Sequence, residues 1–321
     1  METKTRPDPD PSVSLSTAQG PDSIRVDLSV VIPAIAEGPN LEILLPLLKE
    51  ILTELTHSHE IIIVTRENDD HTARAAAASG AVVLEQLERG YGGALIRGFS
   101  EAKGSYILTM DADLSHPPTF VRDLYSARHA AEVVIASRYV EGGRASMPLS
   151  RYILSRVLNS FFSRGLSISA SDLSSGFRIY RRDILPSFQI EARDFDSLQE
   201  ILVKASAEGW KIGEIPFTYE PRRHGSSHAR VFQFGMAYLR TFWKLWKLRN
   251  SIMAADYDDR AHDSIIPLQR YWQRKRFKHV TELVGGEGPV LDVGCGSSRI
   301  IGALPPGSVA LDVLARKLRY D

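Results

Sequence analysis

From Leu28 onward, short runs of apolar, mostly β-branched residues alternate with longer segments whose apolar positions recur every three or four residues. The runs LSVVIPAI, EIIIVTR, AVVLEQ, YILTMDAD and EVVIASR predict strands, and the four Ala- and Leu-rich stretches between them predict helices. Strand and helix in alternation build βαβ units, hence an α/β fold with a mostly parallel sheet covered by helices on both faces. In such sheets ligands sit beyond the carboxyl ends of the strands. Chemistry is therefore expected at the polar residues that end each run: Glu37, Thr65 to Asp70, Asp111 and Asp113, and Ser137 with Arg138.

The pattern changes after residue 147. PLSRYILSRVLNSFFSRGL, 148–166, predicts a helix with proline in its first turn. DFDSLQEILVKASAEGW predicts another, capped by an aspartate at its start and stopped by Gly209. KIGEIPFTYEPRRHGSSHAR then gives a strand running into a basic loop. The segment 231–252 mixes aromatic, leucine and cationic residues at near-helical spacing. Such a helix either lies in a bilayer interface, with its cationic stems snorkelling to the headgroups, or packs on the core. At 253 the chain turns acidic, MAADYDDRAHD, which marks a linker or boundary taken as 253–280. A second strand, glycine loop, helix and strand pattern, GPVLDVGCGSSRIIGALPPGSVALDV, falls within 281–321.

Composition narrows the function classes. The chain has 321 residues, 43% hydrophobic and 24% charged, which excludes disorder throughout. Lys+Arg and Asp+Glu both number 39, so nothing points to nucleic acid as a partner. The single cysteine, Cys295, cannot form an internal disulfide. Residues 1–24, rich in Pro, Asp, Ser and Thr, are expected to form a disordered tail with no signal-peptide core. No apolar window reaches the roughly 18 residues of a spanning helix.

Two carboxylates one residue apart at a strand end, Asp111-Ala112-Asp113, are unfavourable neighbours unless a cation sits between them. Mg²⁺ or Mn²⁺ shared with a diphosphate would resolve this; the alternative is that the pair caps the following helix. In RGYGGALIRGF, 89–99, Gly90 and Gly92 precede a helix start where bare N–H groups could approach a phosphate; a tight turn and close packing would need glycine equally.

The order of D-x-D-x-S-H-P-P, S-R-Y-V-x-G-G, D-x-x-S-G-F-R-x-Y, Q-E, E-I-P-F and an R-x-x-G-S-S loop, from Leu28 to Arg230, resembles the dolichyl-phosphate mannosyltransferase group of inverting family-two glycosyltransferases. The resemblance implies the GT-A fold over 25–230 and transfer of a hexose from a nucleotide sugar to a polyprenyl phosphate. GDP-mannose is the leading donor and a UDP-sugar the second. By that likeness Asp111 and Asp113 hold the metal, and Pro33, Glu37, Asp70, Gly90, Gly92 and Ala112 line the donor site. Asp172 lies near the reacting sugar, with Gln199 and Glu200 beside it; a structural ion pair is the competing role for Glu200. Arg138, Arg151, Arg222, Arg223, Ser226 and His228 face the acceptor phosphate, with a solvated helix face as the alternative for Arg151. The expected location is peripheral, at the cytoplasmic face of a membrane.

Three departures accompany the likeness. Relatives read P-x-Y-N-E where this chain has PAIAE, and an Asp-Asp pair where it has Thr65 and Arg66; the usual lysine of the last loop is His228. The C-terminal segment resembles the opening of a class I S-adenosylmethionine (SAM)-dependent methyltransferase, with Asp292, Gly294, Gly296 and Asp312 at cofactor positions. A complete domain of that kind needs on the order of 150 residues, so SAM is a cofactor only of a longer version. Two rival functions remain: the same donor chemistry with a non-lipid acceptor, and a degenerate, non-catalytic nucleotide-sugar-binding module.

Overall fold

The computed structural model describes residues 26–219, 231–285, 288–313 and 316, without the side chains of 231–237. The elements in chain order are β1 (Leu28–Pro33), α1 (Gly38–Leu55), β2 (His59–Thr65), α2 (Asp70–Ala78), β3 (Val82–Glu85), α3 (Tyr91–Glu101), β4 (Tyr106–Thr109), α4 (Val121–Ser126) and β5 (Val133–Ser137). There follow β6 (Arg144–Ala145), α5 (Leu149–Leu166), β7 (Arg178–Arg181), α6 (Ser197–Ala207), β8 (Ile212–Pro216) and β9 (Thr218–Tyr219). The chain continues with α7 (Val231–Arg249), α8 (Tyr257–His262), α9 (Pro267–Val284), β10 (Leu291–Val293) and β11 (Val309–Leu311).

Seven strands form one sheet in the order β3-β2-β1-β4-β7-β5-β8, parallel except for β7, which runs against both neighbours. Alternation along β1 sends Leu28, Val30 and Ile32 to a core shared with Leu41, Leu44, Leu45, Leu48 and Leu52 of α1. Val31 faces the other side, with Ile62, Val64, Ile107 and Ala94 of α3. There Gly98 lets α3 approach, because a Cβ at that position would run into Val31. A further cluster joins β5 and Tyr180 of β7 to α6, to Phe162 and Leu166 of α5, and to Phe242 and Leu245 of α7.

The five expected strands and the α/β layering are present. β7 adds a strand to the five expected: RIYR, which has no apolar run, fills the middle of the sheet with its backbone, and Arg178 is wholly buried. Four residues with charged ends carry no apolar run to betray burial. Asp196 does stand at the start of α6 but caps nothing; its Oδ2 accepts from Thr241 Oγ1 at 2.6 Å. The stop at Gly209 holds, with φ of 87°.

The acidic stretch taken as a linker is largely helical. Arg249, buried at the end of α7, is neutralised by Asp256 through two bonds of 2.8 and 2.7 Å, so the turn into α8 is fixed by charge rather than by apolar pattern. Beyond it, β10 and β11 pair in parallel, but only a single turn at Ile301–Ala303 stands where a helix was expected. Pro305 and Pro306 follow directly and cannot continue a helix.

Candidate functional site

Because β7 is antiparallel, the loop preceding it emerges at the same sheet end as the carboxyl ends of β4 and β5. Thr109 lies opposite Arg178 and Ile135 opposite Arg178 on the other side. This brings the Asp111 loop, Arg138 and the 172–176 loop together.

The two aspartates diverge. Asp111, with 31% of its side chain exposed, receives a hydrogen bond from Tyr91 Oη at 3.2 Å on Oδ1. Its backbone N–H donates to His116 Nδ1 at 2.9 Å, so the proton of neutral His116 sits on Nε2, 3.8 Å from Asp111 Oδ2. His116 is buried and stacks on Phe177. Asp113 is buried, and its Oδ1 accepts from the N–H and hydroxyl of Ser115 at 3.1 and 2.5 Å, an Asx turn that leads through Leu114 at φ 61°. Neither aspartate occupies a helix cap position: Pro117 precedes the turn at Pro118–Phe120, and Phe120 precedes α4. Ala112 is buried between them.

Asp172 has no exposed surface. Arg138 grips it in a fork, Nε to Oδ2 and Nη2 to Oδ1 at 2.7 Å each, with its backbone N–H at 3.1 Å from Oδ2. Burial would push this carboxyl up, but the Arg138 hydrogen bonds and charge outweigh it and hold it below the usual carboxylate range. Ser174 bridges both partners, and Asn159 of α5 donates to Ser174 Oγ while accepting from Leu173 N–H. The glutamate of E-I-P-F, Glu214, has a structural role that the string alone does not show. Glu214 accepts the N–H groups of Ser171 and Asp172 at 2.7 and 3.0 Å and so fixes the loop. Arg178 bonds Leu173 O and Leu198 O, tying that loop to α6.

At the β1 and β2 ends the organiser is Asp69, not Asp70. Asp69 accepts from Ala36 N–H, Thr65 Oγ1 and Thr72 N–H at 2.6, 3.1 and 3.4 Å. Burial raises its pKa, but these donors outweigh burial and leave it lowered. Asp70 is exposed one residue further on. Glu37 accepts from Asn40 and donates its N–H to Thr72 Oγ1, while Pro33 ends β1. Ala36 has φ of 57°, a left-handed conformation where relatives of the expected family carry asparagine.

Gly90 and Gly92 take the close-packing role. The Arg193 carbonyl accepts from Gly92 N–H at 2.7 Å and Gly93 N–H at 3.3 Å, which occupies the helix start where a phosphate was expected. A Cβ on Gly90 would collide with that carbonyl, and one on Gly92 would lie 2.5 Å from Ala192 O. Glu200 is buried and engaged, 2.7 Å from Lys204 and accepting from the N–H groups of Glu191 and Ala192, so it holds this same 191–193 segment in place. Gln199 is buried beside it, and its amide reaches Phe195 O and Asp196 O in the orientation that satisfies both ends. Arg222, Arg223, Ser226 and His228 lie outside the described residues.

Arg151 is exposed in the first turn of α5. That helix turns Ser155 and Asn159 toward the Arg138–Asp172 pair and leaves Ile153, Leu154, Val157, Leu158 and Phe161 exposed. Phe161 stacks on Phe242 of α7 at 4.8 Å, and α7 adds exposed Leu239 and Trp243. Arg151, Arg156, Arg164, Arg240, Lys244 and Lys247 rim this surface, and neither helix contains an acidic residue.

In the C-terminal segment the glycine loop is filled by its own chain. Gly294 N–H bonds Leu311 O, Gly296 N–H bonds Asp312 Oδ2 at 2.9 Å, and a Cβ on Gly296 would lie 3.0 Å from Asp258 Oδ2. Of the two loop amides expected to face SAM, that of Gly296 is thus taken by the Asp312 carboxylate and that of Gly294 by a backbone carbonyl. Asp292 lies on the short strand leading into the loop. Burial pushes the Cys295 thiol up.

Among the described residues no group of three or more His, Cys, Asp and Glu could hold a metal ion alone. An ion at Asp111 would take the rest of its shell from a diphosphate and water, which suits Mg²⁺ or Mn²⁺. No helix among the described residues is long and apolar enough to cross a membrane.

Residues 29–188 match the family model described as glycosyl transferase family 2. A dolichol-phosphate mannosyltransferase of Saccharomyces cerevisiae is 30% identical over 253 residues, covering 70% of this chain and 94% of its own. One of Pyrococcus furiosus is 31% identical over 237 residues, 70% of this chain, and this chain spans only 65% of that relative's length. Among solved structures, glucosyl-3-phosphoglycerate synthase from Mycobacterium tuberculosis, crystallised with Mn²⁺, uridine diphosphate and phosphoglyceric acid, superposes with a TM-score of 0.57. It is 19% identical and covers 69% of this chain and 78% of its own, a likeness of fold that agrees with the expected architecture.

Proposed function

The chain belongs to glycosyl transferase family 2, and we propose that it moves a hexose from a nucleotide sugar onto the phosphate of a polyprenol lipid, with GDP-mannose as the leading donor. The relatives named dolichol-phosphate mannosyltransferase support mannose as the sugar and a lipid phosphate as the acceptor, GDP as the carrier resting on the resemblance in sequence; the uridine diphosphate bound by the structural neighbour keeps a UDP-sugar as the second donor. The observation that carries the lipid acceptor is the apolar, cation-rimmed face of α5 and α7, joined through Asn159 and Ser174 to Arg138 and Asp172. Apolar side chains would enter the acyl boundary while lysine and arginine met anionic headgroups, which supports our reading of a peripheral location at the cytoplasmic membrane face.

The acceptor phosphate is already ionised near neutral pH, so its oxygen attacks the sugar's anomeric carbon without a base. The bond from that carbon to the donor diphosphate breaks, and its electron pair leaves with the nucleoside diphosphate. Asp172, an anion locked to Arg138, carries no proton in this step; it takes Nε and Nη2 of Arg138 and so orients the guanidinium with Nη1 left for a phosphate oxygen. Asp111 and Asp113 are the residues that would hold Mg²⁺ or Mn²⁺, which when bound would offset charge on the departing diphosphate. Arg151 in α5, together with Arg222, Arg223, Ser226 and His228, completes the proposed acceptor contacts.

The test is transfer of labelled mannose from GDP-mannose to polyprenyl phosphate in vesicles, read as label extracted into organic solvent. Wild type is expected to transfer and Asp111→Asn to lose activity by at least about a hundredfold, in line with removal of a metal-centred charge interaction. Label reaching only a soluble phosphorylated acceptor would sink the lipid reading.

A further inference from the structure

We infer that Tyr91 is a positioning residue that sets the Asp111 carboxylate for the metal and diphosphate; this rests on reading Asp111 as the donor-site ligand. Tyr91 opens α3, and its ring stacks on Phe195 at 4.7 Å with an interplanar angle of 17°. Packing alone would be served by phenylalanine. The hydroxyl goes further and donates to Asp111 Oδ1 at 3.2 Å. Room for it is kept by Gly176, where a Cβ would lie 2.5 Å from Tyr91 Oη and 3.5 Å from Asp111 Oδ1.

Asp111 is thereby held at two points. His116 fixes its backbone N–H, and Tyr91 fixes one carboxylate oxygen. A partly exposed aspartate would otherwise sample several rotamers and lose that freedom on meeting an ion. Groups bonded to a metal-binding carboxylate orient it in advance. The brace in turn depends on the 189–196 segment. Glu200 binds the N–H groups at 191 and 192, Arg193 O caps α3, and Phe195 supports the Tyr91 ring. Glu200 therefore reaches the site through Tyr91 rather than by touching sugar.

The experiment compares wild type, Tyr91→Phe and Asp111→Asn. It measures Mn²⁺ affinity in the presence of GDP or UDP, by electron paramagnetic resonance of the free ion, alongside calorimetry of each nucleotide with and without Mn²⁺ and thermal melting. Tyr91→Phe is expected to weaken Mn²⁺ binding by roughly threefold to thirtyfold. Its metal-free nucleotide binding and melting should match wild type, and transfer activity should return when Mn²⁺ is raised. Mn²⁺ affinity within about twofold of wild type overturns the inference, and so does a loss that excess Mn²⁺ does not repair, because that is a structural defect. Wild type lacking any Mn²⁺-dependent nucleotide binding brings down the donor-site reading and the inference together. Metal-dependent binding lost in Asp111→Asn but unchanged in Tyr91→Phe brings down the inference alone.

Discussion

Helices α1 and α5 are each 18 residues long and rich in leucine, and they bury very different shares of their apolar side chains. α1 puts Leu41, Leu44, Leu45, Leu48 and Leu52 into the sheet-facing core and exposes only Ile43 and Leu47 among its large apolar side chains. α5 buries Asn159, Phe162 and Leu166 and exposes Leu149, Ile153, Leu154, Val157, Leu158 and Phe161, a stripe at helical spacing. The side that touches protein mixes Asn159 with Phe162 and Leu166. Hydrophobic content alone therefore does not identify a core helix. One helix spends most of its apolar surface on the fold; the other spends little and presents the rest outward, beside the proposed acceptor residues.

Leu48→Ala in α1 should cost about 2–5 kcal/mol of unfolding free energy, while Val157→Ala in α5 should stay within about 0.5 kcal/mol of wild type. Urea denaturation of both reads the contrast directly, and similar losses would erase it. Ile153→Asp combined with Val157→Asp should weaken binding to anionic vesicles at least about tenfold, since each lost apolar insertion is worth roughly 1.5–3 kcal/mol. Co-sedimentation measures this, and undiminished binding would show that the stripe serves something other than a bilayer. The smallest effect lies just ahead of α1. Ala36→Asn should gain about 0.5 kcal/mol, because asparagine tolerates the left-handed conformation that alanine is forced into there. A lower urea midpoint in that variant would mean that contacts around Ala36, not its backbone, govern the start of the helix.

The strands and the Asp111 loop were legible in the sequence because apolar runs and strand-end polar residues are local patterns. The meeting of S-R-Y with S-S-G-F-R was legible only through the family resemblance, and the structure gives it a physical form in the Arg138–Asp172 fork. What escaped was set by distant partners. Arg178 reads as a loop residue until β4 and β5 close on either side of it. Asp69 outranks Asp70 because Ala36 and Thr65 happen to point their donors at it. Gly90 and Gly92 look like a phosphate cradle until Arg193, a hundred residues downstream, supplies its carbonyl. Tyr91 carried one available signal, a hydroxyl on a residue whose ring was destined for packing. The acidic stretch after α7 gave no hint of the buried arginine that needs it.

The position of β7 also orders events during synthesis. β4 and β5 leave the ribosome before the strand that will lie between them, so both carry an open edge until residues 178–181 have been made. The centre of the sheet therefore closes after both strands that flank it have been made, with β8 adding to the far edge of β5 later still, and the 172–176 loop is delivered to Asp111 as β7 enters. A nascent chain halted before β7 would leave one edge of β4 and both edges of β5 unpaired, the condition in which sheets recruit the wrong neighbour.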